Sequence, residues 1–159
     1  MEQSPQVAIV IVVYNGYKIG SVVEKSIRSA LNMSYPNSTV TVVDNSSTDG
    51  TPRLLEKFTS EARVIRTPNN LGFAGGNNYA YERDKSEYVL LLNPDAVAEP
   101  DSLSNCMRAM KRDPRLGAAG GIQVSFNKKR ITNAGGLLDT LGRSVPIGLG
   151  RLPNELRST

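Results

Sequence analysis

The 159-residue sequence predicts an α/β domain: a mostly parallel sheet sandwiched between helices. Three observations carry this. Residues 7–13, VAIVIVV, form an unbroken apolar run without alternation, the pattern of a strand buried on both faces. Further short apolar runs recur downstream, with stretches of helical spacing between them, as βαβ crossovers require. Polar and glycine-bearing residues follow each run, at the strand ends where open parallel sheets bind ligands.

The elements follow in order. After residues 7–13, Asn15-Gly16 breaks the strand, and Val22, Val23, Ile27, Ala30 and Leu31 give residues 21–31 one apolar helical face. Residues 39–43 are a second β-branched run, ending at Asp44. A polar loop leads to Thr51-Pro52, which reads as an N-cap followed by proline at the first helical position. Residues 63–66 predict a short third strand and residues 73–83 a helix. Residues 88–92 predict a fourth, fully buried strand, closed by Asn93-Pro94-Asp95. Residues 101–111 predict a helix with Leu103, Met107 and Met110 inward, and residues 116–122 a fifth strand. Beyond Gln123 glycines punctuate short apolar pieces, as in hairpins or mobile loops.

The composition narrows the chemistry. Hydrophobic residues at 39% and charged residues at 21% exclude a disordered chain. There is no histidine and one cysteine, Cys106, so Ser-His and Cys-His schemes, histidine metal sites and internal disulfides are excluded. What remains is carboxylates, backbone amides and a metal ion. The net charge of +4 suits a phosphate-bearing ligand or an anionic membrane surface, and no basic stripe interleaved with aromatics argues for nucleic acid. Lys128-Lys129-Arg130 reads as a solvated loop. The apolar run at 7–13 is too short to cross a bilayer and has no basic leader, so the expected location is cytoplasmic.

Four clusters stand at the strand ends, and each has a plain structural alternative. Tyr14-Asn15-Gly16 also reads as a simple turn. Asp44 either meets a ligand or caps the amides of its own loop. Asp49 fits a helix-entry loop. Gly75-Gly76 costs about 1 kcal/mol each against alanine in a helix. Close approach by a ligand or a backbone explains that cost, as does a mobile helix start. The loop before Phe73 offers amides to an anion. Asp95 projects beyond a strand end, where one carboxylate with substrate phosphates can hold Mg²⁺ or Mn²⁺, or it accepts turn amides only.

These four clusters, VIVVYNG from Val10, VVDNSSTDGT from Val42, NNLGFAGGNN from Asn69 and LLNPD from Leu91, occur in an order and spacing that resembles family 2 glycosyltransferases with a GT-A, Rossmann-like fold. The resemblance covers residues 6–150 and is nearest to the rhamnosyltransferase-like branch. It implies an enzyme of polysaccharide biosynthesis that transfers sugar from a dTDP- or UDP-sugar to an acceptor hydroxyl with inversion. The implied nucleotide contacts are Val13, Tyr14, Asn15, Asp44, Ser46, Asn70, Gly72, Asn77 and Asn93, with Asp44 accepting from the imide N–H of uracil or thymine. Asp95 matches the metal-binding aspartate, and the implied cofactor is a divalent ion, Mg or Mn. Asn93 stands where many relatives carry an acid, leaving one carboxylate fewer.

The implied partners are a nucleotide-diphosphate sugar and a glycan or lipid-linked acceptor. No nucleic acid is expected; peripheral association with the inner face of the cell membrane is compatible. Residues 6–122 are expected to form the donor-binding core and 123–159 the start of an acceptor-side region. No Glu-Asp pair that would supply a general base follows Asp113, and neither Asp139 nor Glu155 sits in the matching context. The catalytic base is therefore unassigned, and the expectation is a truncated enzyme. The alternative is a non-catalytic nucleotide-sugar-binding fragment or scaffold. A nucleotidyltransferase would need a basic glycine-rich loop, to which Asn15-Gly16-Tyr17-Lys18 is a poor fit.

Overall fold

The computed structural model describes residues 4–138 and 144–153; Asp139, Gly142, Arg143, Glu155 and Thr159 lie outside them. Strand β1 (Val7–Val13) is buried at every position. Strands β2 (Ser38–Asp44) and β4 (Tyr88–Leu91) pair with it in parallel on either side, and β3 (Arg63–Arg66) pairs with β2. The order is β3-β2-β1-β4. A central strand with a neighbour on each edge and a helix on each face meets no water, which is why its sequence does not alternate.

The helices are α1 (Gly20–Leu31), α2 (Thr51–Leu55), α3 (Gly72–Asp84) and α4 (Ser102–Arg112). Ala8, Val10 and Val12 pack with Val43 and with Ala80 of α3. Val13 points the other way. A Cβ on Gly16 would lie 2.8 Å from Val13 Cγ1 and 3.2 Å from Val23 Cγ2 of α1. Alternate residues of β1 thus face α3 and α1, as the two-residue strand period dictates. Leu103 and Met107 of α4 are buried, and Met110 is half-buried.

Three expectations are corrected. Strand β4 is not fully buried: it is an edge strand, with Leu91 51% exposed. Val89 and Leu91 lie level with Ala8 and Val10, on the face that α3 covers chiefly over β1 and β2. Thr51 is not an N-cap; the helix starts on it and the cap position is Gly50. Asp49 does the capping, its Oδ1 accepting the Thr51 amide at 2.9 Å. Residues 116–122 form no strand. Gly117, Gly120 and Gly121 have nothing within 4 Å of where a Cβ would sit, so no packing holds that stretch extended.

The chain divides into two compact units, Met1–Ser104 and Asn105–Thr159, the division falling inside α4. The second contains two antiparallel pairs: β5 (Gln123–Val124) with β6 (Ile131–Asn133), and β7 (Gly136–Leu138) with β8 (Ser144–Pro146). Among the described residues, no helix is long and apolar enough to cross a membrane.

Candidate functional site

The chain steps outward from β1 to β2 and β3, then returns to the opposite side of β1 as β4. Such a reversal opens a crevice beyond the carboxyl ends of the two strands that flank it. Tyr14-Asn15 follow β1 there, and Asn93-Pro94-Asp95 follow β4. The two strands end at different heights. The Leu92 N–H meets the Val10 carbonyl at 3.0 Å, whereas β1 continues to Val13 beside Asp44. Three further residues at about 3.3 Å each step the edge by roughly 10 Å between the β4 turn and the β2 loop.

On the β2 side the loops are tied together by side chains. Asp44 is buried; its Oδ1 accepts the Ser47 N–H at 2.9 Å, and its Oδ2 pairs with Arg66 Nη1 at 2.5 Å. The other Arg66 nitrogen, Nη2, donates to the Ser47 carbonyl at 2.8 Å. Asn45, also buried, spends both ends of its amide. Its Nδ2 donates to Asn70 Oδ1 and the Gly72 carbonyl; its Oδ1 accepts from Leu71 N–H and Thr67 Oγ1. Asn70 Oδ1 in turn accepts the Gly72 N–H. Asn15, in the left-handed region at φ 47°, donates its N–H to Ser47 Oγ and accepts the Thr48 N–H. Ser46 is also left-handed, at φ 63°, and half-buried.

Asp49 closes this network, its Oδ2 accepting the Tyr17 N–H at 3.1 Å. Desolvation raises its carboxyl, but hydrogen bonds from Thr51 and Tyr17 outweigh it and hold Asp49 below the ordinary carboxylate value.

The predicted residues therefore fall into two groups. Tyr14, Asn15, Ser46, Asn70 and Gly72 lie in the segments that follow the carboxyl ends of β1, β2 and β3, with Tyr14 49% exposed. Val13 stands at the same edge, but its side chain is in the core and its carbonyl accepts the Asn45 N–H. Asn77 lies one turn into α3, buried; its Nδ2 donates to the Phe73 carbonyl and its Oδ1 has no partner among the described residues. The glycines of α3 serve packing: a Cβ on Gly76 would lie 2.8 Å from Val12 Cγ1, and one on Gly75 2.7 Å from Leu71 Cβ. Gly72, at φ 70° with open space around it, begins the helix. The first turn is exposed, and its leading amide, Gly72 N–H, is already held by Asn70 Oδ1.

Asn93 and Asp95 are both exposed. The Asn93 carbonyl accepts from Ser26 Oγ and the Ala96 N–H, which fixes the turn. The described residues contain no group of three or more acidic, Cys or His side chains able to hold a metal. A divalent ion here would rest on Asp95 with ligand phosphates and water, a mode that one open carboxylate fits. Arg66 is the participant that sequence reading missed. Its only signal is that β3, like β2, ends on a charged residue, and the register sets Arg66 directly beside Asp44.

The family 2 glycosyl transferase model matches residues 8–144. The chain belongs to that family. Among curated relatives, the chain is 26% identical over 117 residues to the poly-β-1,6-N-acetyl-D-glucosamine synthase of Staphylococcus epidermidis, covering 72% of this chain and 28% of the relative. It is 27% identical over 145 residues to the chondroitin synthase of Pasteurella multocida, covering 89% of this chain and 14% of the relative. The family 2 domain seen here thus spans under a third of each. Among solved structures, the mannosyltransferase PcManGT of Pyrobaculum calidifontis, in complex with GDP-Man and Mn²⁺, matches with a TM-score of 0.64 and 26% identity over 72% of this chain and 34% of that one. The S. aureus TarS 1-349 complex with UDP shares the fold, with a TM-score of 0.59 at 21% identity over 76% and 39% of the two chains. The parallel four-stranded α/β fold is that of GT-A glycosyltransferases.

Proposed function

We propose that this chain is the donor-binding part of an inverting family 2 glycosyltransferase of the rhamnosyltransferase-like branch, acting on a dTDP- or UDP-sugar. The observation that carries the reading is the stepped carboxyl edge. Asp44 in its hydrogen-bonded loop stands on the β2 side and the open Asp95 on the β4 side, two strand spacings or about 10 Å apart laterally. That separation suits the base and the diphosphate of one nucleotide. The Pyrobaculum structure, a complex with GDP-Man and Mn²⁺, supports a divalent ion at Asp95.

In this reading Asp44 accepts the imide N–H of the base, Tyr14 and the Asn70–Gly72 loop flank the nucleoside, and Asp95 faces the diphosphate. The bound ion would neutralise charge on the departing diphosphate. An acceptor hydroxyl oxygen attacks the anomeric carbon. The bond from that carbon to the diphosphate oxygen breaks, its electron pair leaves with the diphosphate, and the hydroxyl proton passes to a base. The acceptor is a glycan or a lipid-linked saccharide, and residues 123–159 begin the acceptor side. A second reading is a non-catalytic nucleotide-sugar-binding module that acts together with a partner protein.

Calorimetric titration with dTDP and UDP, each with and without Mn²⁺, tests the first reading. Binding of one of them, strengthened by Mn²⁺, is expected; failure of both at millimolar concentration refutes it. Transfer assays of the chain alone and with candidate partner proteins separate the two readings.

A further inference from the structure

Asn45 stands between Asp44 and Ser46, yet only 2% of its surface is exposed. An asparagine amide carries two N–H donors and two acceptor lobes. Here all four are used. Nδ2 donates to Asn70 Oδ1 at 2.9 Å and to the Gly72 carbonyl at 3.1 Å. Oδ1 accepts the Leu71 N–H at 3.0 Å and the Thr67 hydroxyl at 3.1 Å. The backbone N–H of Asn45 donates to the Val13 carbonyl at 2.8 Å. One residue thus joins the ends of β1 and β2 to the loop between β3 and α3. Turned over, its amide would set N–H groups against the Leu71 N–H and an oxygen against two acceptors. A buried amide that loses its partners is costly, so one orientation is kept.

Asn70 takes its orientation from Asn45. Its Oδ1 accepts from Asn45 Nδ2 and from the Gly72 N–H, both at 2.9 Å, which fills both lobes of that oxygen. A flipped Asn70 would bring its own NH₂ group against those two donors. Asn70 is an exposed residue, and its Nδ2 has no hydrogen-bond partner among the described residues. Two N–H donors are therefore left free at the carboxyl edge by a contact buried beneath them.

We propose that Asn45 is a positioning residue: it fixes the Asn70 amide with its oxygen inward and its Nδ2 free, so that Asn70 donates to an oxygen of the bound nucleoside. The inference rests on the donor-site reading and adds to it the direction of the Asn70 contact. A free donor selects an oxygen acceptor, and a ligand N–H at that place would meet another donor and be rejected. Asn45 itself touches no ligand in this scheme. Its effect reaches the nucleoside through Asn70.

Calorimetry with UDP and dTDP and side-chain amide NMR test this. In the isotope-labelled natural chain, the nucleotide that binds should move the Asn70 Nδ2 resonances. Asn70→Ala should weaken its binding about tenfold, the worth of one good hydrogen bond. Asn45→Ala should weaken it about as much, and should cost nothing further on an Asn70→Ala background, because the route through Asn70 is already gone. A merely structural role would add its loss on either background. Should Asn45→Ala not fold, Asn45→Asp replaces it: the carboxylate keeps the Leu71 and Thr67 bonds but gives Asn70 Oδ1 no donor. Asn70→Asp keeps the inward acceptor and replaces the free donor by an acceptor. It should bind the matching nucleoside, uridine or thymidine, which carries no phosphate, more weakly than Asn70→Ala does. Additive losses, Asn70 resonances that the bound nucleotide leaves unmoved, or natural nucleoside affinity in Asn70→Asp would each overturn this inference alone. Failure of the natural chain to bind either nucleotide would remove the donor-site reading and this inference with it.

Discussion

Arg66 and Asp44 are neighbours in register on adjacent parallel strands, and their side chains form an ion pair at 2.5 Å. The Asp44 side chain is 4% exposed and that of Arg66 50%. The carboxylate is thus held from two sides, by the Ser47 amide and by a guanidinium that also grips the Ser47 carbonyl. Each carboxylate oxygen retains a second acceptor lobe. The same clamp that shapes the 44–47 loop aims the group proposed to read the base.

Removing the clamp should therefore have two effects. Arg66→Ala leaves a buried carboxylate with one partner. Because Arg66 is half-exposed, we expect a loss of about 2 kcal/mol, below the 3–5 kcal/mol of a fully buried pair. Urea denaturation measures this. Nucleotide binding by calorimetry should fall about tenfold, and Arg66→Lys should restore stability more than affinity, because an ammonium cannot bridge both acceptors.

Asp44 and Asp95 should separate. Asp44→Ala should weaken dTDP or UDP binding about 10- to 100-fold with or without Mn²⁺, the value of a charge-assisted hydrogen bond. Asp95→Ala should abolish the enhancement by Mn²⁺ and leave metal-free binding unchanged. Identical titrations for the two variants would refute the division of roles.

Gly76→Ala should destabilise although alanine favours helix by about 1 kcal/mol. The added methyl would lie 2.8 Å from Val12 Cγ1, and Val12 is buried and β-branched, with little freedom to retreat. A net loss of about 1–3 kcal/mol by urea denaturation is expected. Val12→Ala combined with it should recover part of the loss.

Asp49 gives a pH dependence. Its folded pKa lies below the unfolded value, so its contribution is complete above about pH 4 and is lost as pH falls through the folded pKa. The gap in Tm between the natural chain and Asp49→Asn should stay constant from pH 7 to about pH 5 and then close as the medium is acidified further. A gap that widens on acidification would contradict the assignment.

Much of the carboxyl edge of the sheet was legible in the chain. The VAIVIVV run announces a doubly covered strand, and Asp44, Asn70 and Asp95 stand where punctuation closes a run. Arg66 was not legible, because nothing local distinguishes a strand-end arginine in solvent from one locked on a carboxylate 22 residues earlier. Val13 illustrates the converse: it stands at the end of β1 as read, yet the two-residue strand period turns its side chain into the core.

By itself, the sequence determined the order of strands and helices as far as α4, the lack of histidine and of an internal disulfide in these 159 residues, and the residues that end the strands of the parallel sheet. These follow from local backbone preference and side-chain inventory, which need no partner. Tertiary structure decided which strand lies beside which and hence where the crevice opens. It also decided that α3 packs chiefly on β1 and β2 while β4 at the edge keeps Leu91 exposed, that residues 116–122 stay irregular, and that Arg66 meets Asp44. Those outcomes depend on pairing register and helix placement, contacts between residues far apart in the chain, which no local pattern encodes.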